Sequence, residues 1–170
     1  MLHNKVPRIT NYLKALFYCV MRIVIQRVTS AKVAVDNLTV SEILVGLLVL
    51  VGVETGDSVS NAEWLAMKTA NLRIFPDETG VMNLSVKDIG GEILAVSQFT
   101  LTASTKKGNR PSYFRAAHHE LAVPLYDHYC KILGQQIGKE IKKGIFGEDM
   151  QVSLVNDGPV TIIIDSNIKE

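Results

Sequence analysis

Two short segments carry residue types that could build a site. Ser97-Gln98-Phe99-Thr100 sets a hydroxyl, an amide, an aromatic ring and a second hydroxyl in succession. Asn156-Asp157-Gly158-Pro159 lies between the apolar runs Val152 to Val155 and Val160 to Ile164. Turn-forming residues between β-branched segments predict strand, turn, strand. Glycine can approach another surface closely because it lacks a Cβ, and only X-Pro bonds become cis without a large penalty. Such a turn can present two bare carbonyls in a fixed direction. An ordinary hairpin is the competing reading.

The familiar side-chain machinery is missing. The chain has no Gly-x-Ser-x-Gly elbow and no Walker-type phosphate loop. Ser97 has the chemistry of a nucleophile, yet no base for it is identifiable, and Thr100 meets the same objection. His118 and His119 could be read as a metal pair, but adjacent helical positions point apart and companion ligands are lacking. Solvated helix-start residues fit better. No metal and no cofactor are expected. Cys19 and Cys130 are too few for a disulfide framework, and Cys130 falls in a helical pattern as a small packing residue.

The elements that must position the two segments are legible as periodicities. Arg22 to Thr29 and Lys32 to Asp36 read as strands, with a turn at Asp36-Asn37 before Leu38 to Ile43 and Leu44 to Val53. Ser60 and Glu63 form a candidate capping box, so a helix is expected over 61–71, burying Ala62, Leu65, Ala66 and Leu72. Strands are expected at Leu72 to Phe75 and Val81 to Leu84. Glu92 to Leu101 alternates, apolar on both faces early and polar late, as in a strand that opens into a site. A loop with Lys106, Lys107 and Arg110 follows. A second helix is expected from His119 to Leu133, with Pro124 in its first turns, then an edge strand over Lys139 to Lys143.

At 170 residues, 47% hydrophobic and 21% charged, the chain fits one globular domain with a substantial core. Ile43 to Val53, the longest apolar stretch, is too short to span a membrane. The first twenty residues hold Lys5, Arg8 and Lys14 and no acid. Without them 15 basic residues face 17 acidic ones, a body of about −2. Leu2, Val6, Ile9, Leu13, Leu16 and Val20 make a helical stripe, as in a targeting peptide, but Pro7 interrupts it. An upstream start before Met21 is the simpler account of residues 1–20, with residues 21–170 as the domain proper.

The two motifs together resemble those of the D-aminoacyl-tRNA deacylases, which carry Ser-Gln-Phe-Thr and Asn-x-Gly-Pro-Val-Thr. Similarity runs from Met21-Arg22-Ile23-Val24-Ile25-Gln26-Arg27-Val28 to about Asp165, through Lys107 to Ser112 and Phe146 to Val152. The resemblance implies an α/β fold: a single domain of layered β/β/α architecture, with mixed sheets and two main helices, homodimeric; the sparse cysteines fit a reducing, cytoplasmic compartment. It implies hydrolysis of the ester of D-aminoacyl-tRNA, and of glycyl-tRNA mischarged on tRNA(Ala), as a chiral proofreading step in translation. The partners implied are a second copy of the chain and the 3′ end of aminoacyl-tRNA, with no membrane.

An aminoacyl ester is already activated, so the task is to position water and stabilise an oxyanion. By resemblance, Ser97, Gln98, Phe99 and Thr100 floor the pocket, backbone amides near Phe99 hold the oxyanion, and the vicinal ribose hydroxyl assists. A packing-only role for Phe99 stays open. Gly158-Pro159 becomes a cis chiral filter that reaches into the other subunit and offers carbonyls to the substrate amine. Val160 and Thr161 complete that motif. Asn156 and Asp157 shape the turn by side-chain capping. Arg27 either braces the Gly-Pro loop or is a strand-end charge. Lys106, Lys107, Arg110 and Arg115 contact tRNA phosphates or are simply solvated.

Two neighbouring readings compete. A sister group attacks L-alanyl-tRNA with a trans Gly-Pro step, but its first motif resembles Pro-Gln-Ala-Thr, against Ser97 and Phe99 here. A non-catalytic nucleic-acid-binding relative would carry an added C-terminal tail, whereas Glu170 follows soon after the last expected strand.

Overall fold

A computed structural model describes residues 21–167. The helical stripe expected within residues 1–20 lies outside them. The centre of the domain is β1 (Arg22–Val35), a single strand where two were expected. Asp36 and Asn37 turn the chain with φ of 49° and 62°, the left-handed conformation that Asn and Asp tolerate. β2 (Leu38–Ile43) and β3 (Gly46–Gly52) then return antiparallel to β1, pairing Ala31↔Ile43 and Val28↔Gly46. Only Leu44 and Val45 interrupt the return.

β6 (Glu92–Ser97) runs parallel to β3, and β7 (Lys142–Lys143) parallel to β6. Gly46 makes the first of these pairings fit, since a Cβ there would fall 1.9 Å from the Glu92 carbonyl oxygen. Ser41 Oγ donates to the Lys143 carbonyl at 2.7 Å and links β2 to the far edge. A mixed sheet that nearly closes on itself results. β4 (Phe75–Pro76) and β5 (Met82–Leu84) form a separate small pair.

Both main helices cover one side of this sheet. α1 (Val59–Asn71) begins at Ser58, whose N–H donates to Asn61 Oδ1 at 2.9 Å. The expected box at Ser60 and Glu63 is therefore displaced by two residues, because Ser58 still has the extended backbone a cap requires. Ala62, Leu65 and Ala66 are buried as expected, while Leu72 lies just past the helix and is half-buried. α2 (His119–Ile137) continues past its expected end at Leu133 and stops at Gly138, whose φ of 68° is left-handed. Pro124 falls inside its early turns.

Thr69 and Tyr129 hydroxyls meet at 2.9 Å between the helices, and Tyr126 OH donates to the Ala95 carbonyl at 2.9 Å. That second bond ties α2 to β6, the strand that delivers the first motif. Burial pushes the Cys130 thiol up to about 12, so it packs as an inert apolar group.

β8 (Gln151–Asp165) corrects the most prominent expectation. It is one strand, not a hairpin, and pairs antiparallel with β1 on both sides of the motif. Between the partners Gln26↔Thr161 and Val28↔Asn156, β1 supplies only Arg27 where β8 supplies Asp157, Gly158, Pro159 and Val160. The turn residues expel a bulge without reversing the chain, because both flanks find their partners on the same strand.

Candidate active site

The first motif sits where β6 ends. Strand pairing continues to Val51↔Ser97, and Gln98 N–H still bonds the Val51 carbonyl at 2.8 Å. The chain then curls into a 3-10 turn over Phe99–Thr102, so the expected strand to Leu101 is four residues too long. Thr102 Oγ1 fixes the turn by donating to the Phe99 carbonyl at 2.8 Å. Gly52 lets it pack closely: a Cβ there would lie 2.9 Å from Leu101 Cβ.

Gln98 Nε2 donates a short hydrogen bond to Thr100 Oγ1, which orients both side chains. An amide cannot act as a base, so this pair positions and does not activate. Phe99 is 57% exposed, touched edge-on by Tyr113 with ring centroids 5.0 Å apart. An aromatic side chain so open to water, with Phe114 next in sequence to Tyr113 also exposed, offers apolar surface for contact.

Two arginines hold the ends of this region, and sequence reasoning missed the role of both. Arg22 Nε and Nη2 grip Asp165 at 2.6 and 2.8 Å while Nη1 donates to the Leu101 carbonyl at 3.3 Å. Asp165 raises the Arg22 pKa still further, so the clamp stays charged. Arg115 turns inward, donating to the Thr102 carbonyl at 3.1 Å and pairing with Glu54 at 3.5 Å. It is therefore engaged within the fold and is not simply solvated. Opposite charges heading β1 and ending β8 were the available signal for Arg22–Asp165, but their pairing depends on register.

Lys106, Lys107 and Arg110 project from a loop that Ser104 and Ser112 close with reciprocal backbone bonds of 2.8 and 2.9 Å. All three are exposed, next to the first motif.

The second motif is held from beneath. Arg27 is only 8% exposed, with Nε 2.9 Å from Asp157 Oδ2 and 3.2 Å from the Asp157 carbonyl. Its Nη1 donates to the Ile74 carbonyl at 2.6 Å. Asn156 Oδ1 accepts from Val160 N–H at 2.9 Å, and Asn156 Nδ2 donates to Thr161 Oγ1 at 3.0 Å. These bonds close the neck of the bulge and present Gly158 and Pro159 at its exposed tip. The Gly158–Pro159 peptide is cis, as expected from the motif, and Gly158 has φ of 122°. A Cβ on Gly158 would fall 2.8 Å from Val160 Cγ2 and 3.0 Å from Arg27 Nη2. Glycine is needed here for the loop itself as well as for any visitor.

Within one chain the two motifs stay apart. Leu101 lies beside Arg22 and Gly158 beside Arg27, and between those β1 positions a strand advances about 17 Å. The described histidines go elsewhere: His118 occupies the N-cap position of α2 without a side-chain cap bond, His119 meets Phe146 edge-on with ring centroids 5.3 Å apart, and His128 meets Glu63 at 3.0 Å. Among the described residues no group of three or more His, Cys, Asp or Glu is placed to hold a metal.

A nearly closed mixed sheet, a polar motif at one strand end and an extruded Gly-Pro loop define an α/β domain with two exposed backbone-rich motifs. The comparisons make the class specific. The family described as D-Tyr-tRNA(Tyr) deacylase matches residues 24–165, and the chain belongs to it. It is 58% identical over 150 residues to a D-aminoacyl-tRNA deacylase of Flavobacterium psychrophilum, covering 88% of this chain and 100% of the relative. A D-aminoacyl-tRNA deacylase of Porphyromonas gingivalis matches with the same identity and coverage.

Among solved structures, one described as c-Myc DNA Unwinding Element Binding Protein superposes with a TM-score of 0.80 at 42% identity, over 85% of this chain and 97% of its own. A probable eukaryotic D-amino acid tRNA deacylase superposes with a TM-score of 0.74 at 16% identity, over 86% and 99%, which speaks for the fold alone.

Proposed function

We propose that this chain hydrolyses the ester of D-aminoacyl-tRNA in the cytoplasm as a homodimer whose two pockets each borrow Gly158-Pro159 from the partner. The observation that carries the reading is the separation of the two motifs: each is exposed, and neither reaches the other within its own chain. The exposed Val155 and Ile163 on β8 supply apolar surface for a second copy beside the loop.

In this arrangement the Phe99 and Thr100 N–H groups, which open the 3-10 turn, face the ester carbonyl and stabilise its oxyanion. Thr100, oriented by Gln98, positions the substrate, and Ser97 completes the floor. The 2′-hydroxyl of the terminal ribose helps direct water. Gly158 and Pro159 carbonyls accept from the substrate amine; an L side chain then points into the loop, and a D side chain points away. Asn156, Val160, Thr161 and Arg27 keep the loop in place. Lys106, Lys107 and Arg110 meet phosphates of the acceptor end, a local basic contact on a body of about −2.

Glycyl-tRNA, including glycine mischarged on tRNA(Ala), is an expected substrate. A filter that works by steric rejection has nothing to push against when the side chain is hydrogen. Positive selection of D-alanine over glycine would rest on one methyl group, worth about 1–3 kcal/mol. A hydrolysis series on glycyl-, D-alanyl- and L-alanyl-tRNA at matched enzyme concentrations should therefore show the first two cleaved and the third spared. Cleavage of D-alanyl- with none of glycyl-tRNA would mean that the D side chain is actively recognised.

The 42% identical relative described as a DNA-unwinding-element-binding protein favours one second reading, a nucleic-acid-binding role without hydrolysis. Binding of tRNA or DNA by a protein inert on every ester in the series would select it.

A further inference from the structure

Every carbonyl of the turn that carries Phe99 and Thr100 has a donor. Gln98 accepts from Leu101 N–H at 3.2 Å, Phe99 from Thr102 Oγ1 at 2.8 Å, and Thr100 from Ala103 N–H at 3.1 Å. Those bonds are local. The next two carbonyls are taken by guanidinium groups from elsewhere: Leu101 accepts from Arg22 Nη1 at 3.3 Å, and Thr102 from Arg115 Nη2 at 3.1 Å. Among the described residues, no other side chain from outside the segment bonds a carbonyl of 98–102.

Each arginine is itself held by a carboxylate. Arg22 grips both oxygens of Asp165, whose side chain is 12% exposed, and Arg115 pairs with Glu54, whose side chain is 6% exposed. The Asp165 hydrogen bond raises the Arg22 pKa, burial opposes it, and the charges of Asp165 and Glu54 add to the rise, so Glu54 acts on both cations. Backbone bonds keep Arg115 in place: Thr55 N–H donates to its carbonyl at 2.8 Å, and Ala117 N–H donates to Val53 at 3.0 Å. The turn is thus tied to the start of β1, the end of β8 and the exit of β3.

Given the pocket-floor role proposed for this turn, we propose that Arg22 and Arg115 are positioning residues for the hydrolysis, fixing the Phe99 backbone and the Thr100 hydroxyl without touching substrate. A planar guanidinium binds a carboxylate and a carbonyl in one fixed geometry, which a single ammonium does not reproduce. The Arg22 side chain is 36% exposed, and a pair so open to water contributes little to stability. Misplacing a reacting group by 1 Å costs about 100-fold in rate. Loss of the clamp therefore falls on the rate constant far more than on the fold.

Arg22→Lys keeps a cation beside Asp165 and removes the fork that also reaches Leu101. Its single-turnover hydrolysis of D-tyrosyl-tRNA at saturating enzyme should slow about 10-fold or more. The half-saturating concentration and the D/L preference should stay, and the thermal midpoint should move by less than about 3 °C. Arg115→Lys should behave alike; if the buried Glu54 prevents that variant from folding, Arg22→Lys decides alone. An unchanged rate constant in folded Arg22→Lys, or a change confined to the half-saturating concentration, overturns the proposal. Hydrogen exchange of the free protein gives a readout without tRNA: the Leu101 and Ala103 amides should exchange about 10-fold faster in Arg22→Lys, with those of β6 unchanged. Equal exchange in both proteins would overturn the clamp. A wild-type protein inert on every ester would instead overturn the deacylase reading, and with it the catalytic purpose, while exchange still judged the clamp.

Discussion

Arg27→Ala should lower D-aminoacyl-tRNA hydrolysis by about 100-fold while the protein remains folded, because misplacing a positioning element by even 1 Å has that effect. The side chain is buried under the Gly158 loop and serves three acceptors, the Asp157 carboxylate, the Asp157 carbonyl and the Ile74 carbonyl. Its removal leaves a buried Ile74 carbonyl unsatisfied, at a stability cost of about 2 kcal/mol. The loop then loses its only described ion pair. Lysine should rescue little, since a single ammonium cannot span Asp157 and Ile74 as the planar guanidinium does. Single-turnover hydrolysis beside a thermal midpoint separates the effects. A lowered midpoint with wild-type rate and wild-type D/L preference would reduce Arg27 to a structural role.

A mixture of two inactive variants should recover activity if each pocket is built from two chains. Thr100→Val spoils the pocket floor and leaves the loop intact; Arg27→Ala does the reverse. Gly158→Ala is a poor choice for the loop defect, because its Cβ would collide with Val160 and Arg27 within the same chain. In a mixed C2 dimer one site pairs a good floor with a good loop and the other pairs two defects. Random exchange of equal amounts makes half the dimers mixed, so about a quarter of wild-type sites should return. Activity no higher than the sum of the separate variants, with exchange verified by mass, would mean that each pocket uses a single chain.

What was legible in the sequence was local. β-branched runs located most of the strands, although the one expected over Leu72 to Phe75 reduces to β4 at Phe75–Pro76. A capping signal pointed to α1 with its buried Ala62, Leu65 and Ala66, and apolar spacing pointed to α2. The polar turn of the Glu92 to Leu101 segment pointed to a site, although the change to a 3-10 turn at Phe99 did not show, since alternation persists through it. What failed was long-range. Asn-Asp-Gly-Pro signals that the chain leaves its strand, and only the partners of its flanks decide between reversal and bulge; both flanks pair with β1. Arg27 was ambiguous for the same reason: its place beneath Asp157 exists only in the register that sets Val28 against Asn156. Arg22 and Asp165 lie at opposite ends of the domain sequence, so their opposite charges became a clamp only through the register that pairs them.

The central claim is chiral, and the most direct measurement is hydrolysis of D-tyrosyl-tRNA and L-tyrosyl-tRNA by the purified wild-type protein under identical conditions. The two substrates share ester, ribose, ring and tRNA, and differ only in configuration at the Cα that the Gly158-Pro159 loop is proposed to face. Rapid release of D-tyrosine, with L-tyrosyl-tRNA surviving at its spontaneous rate, is the predicted result. Comparable hydrolysis of both, or of the L-form alone, would contradict it.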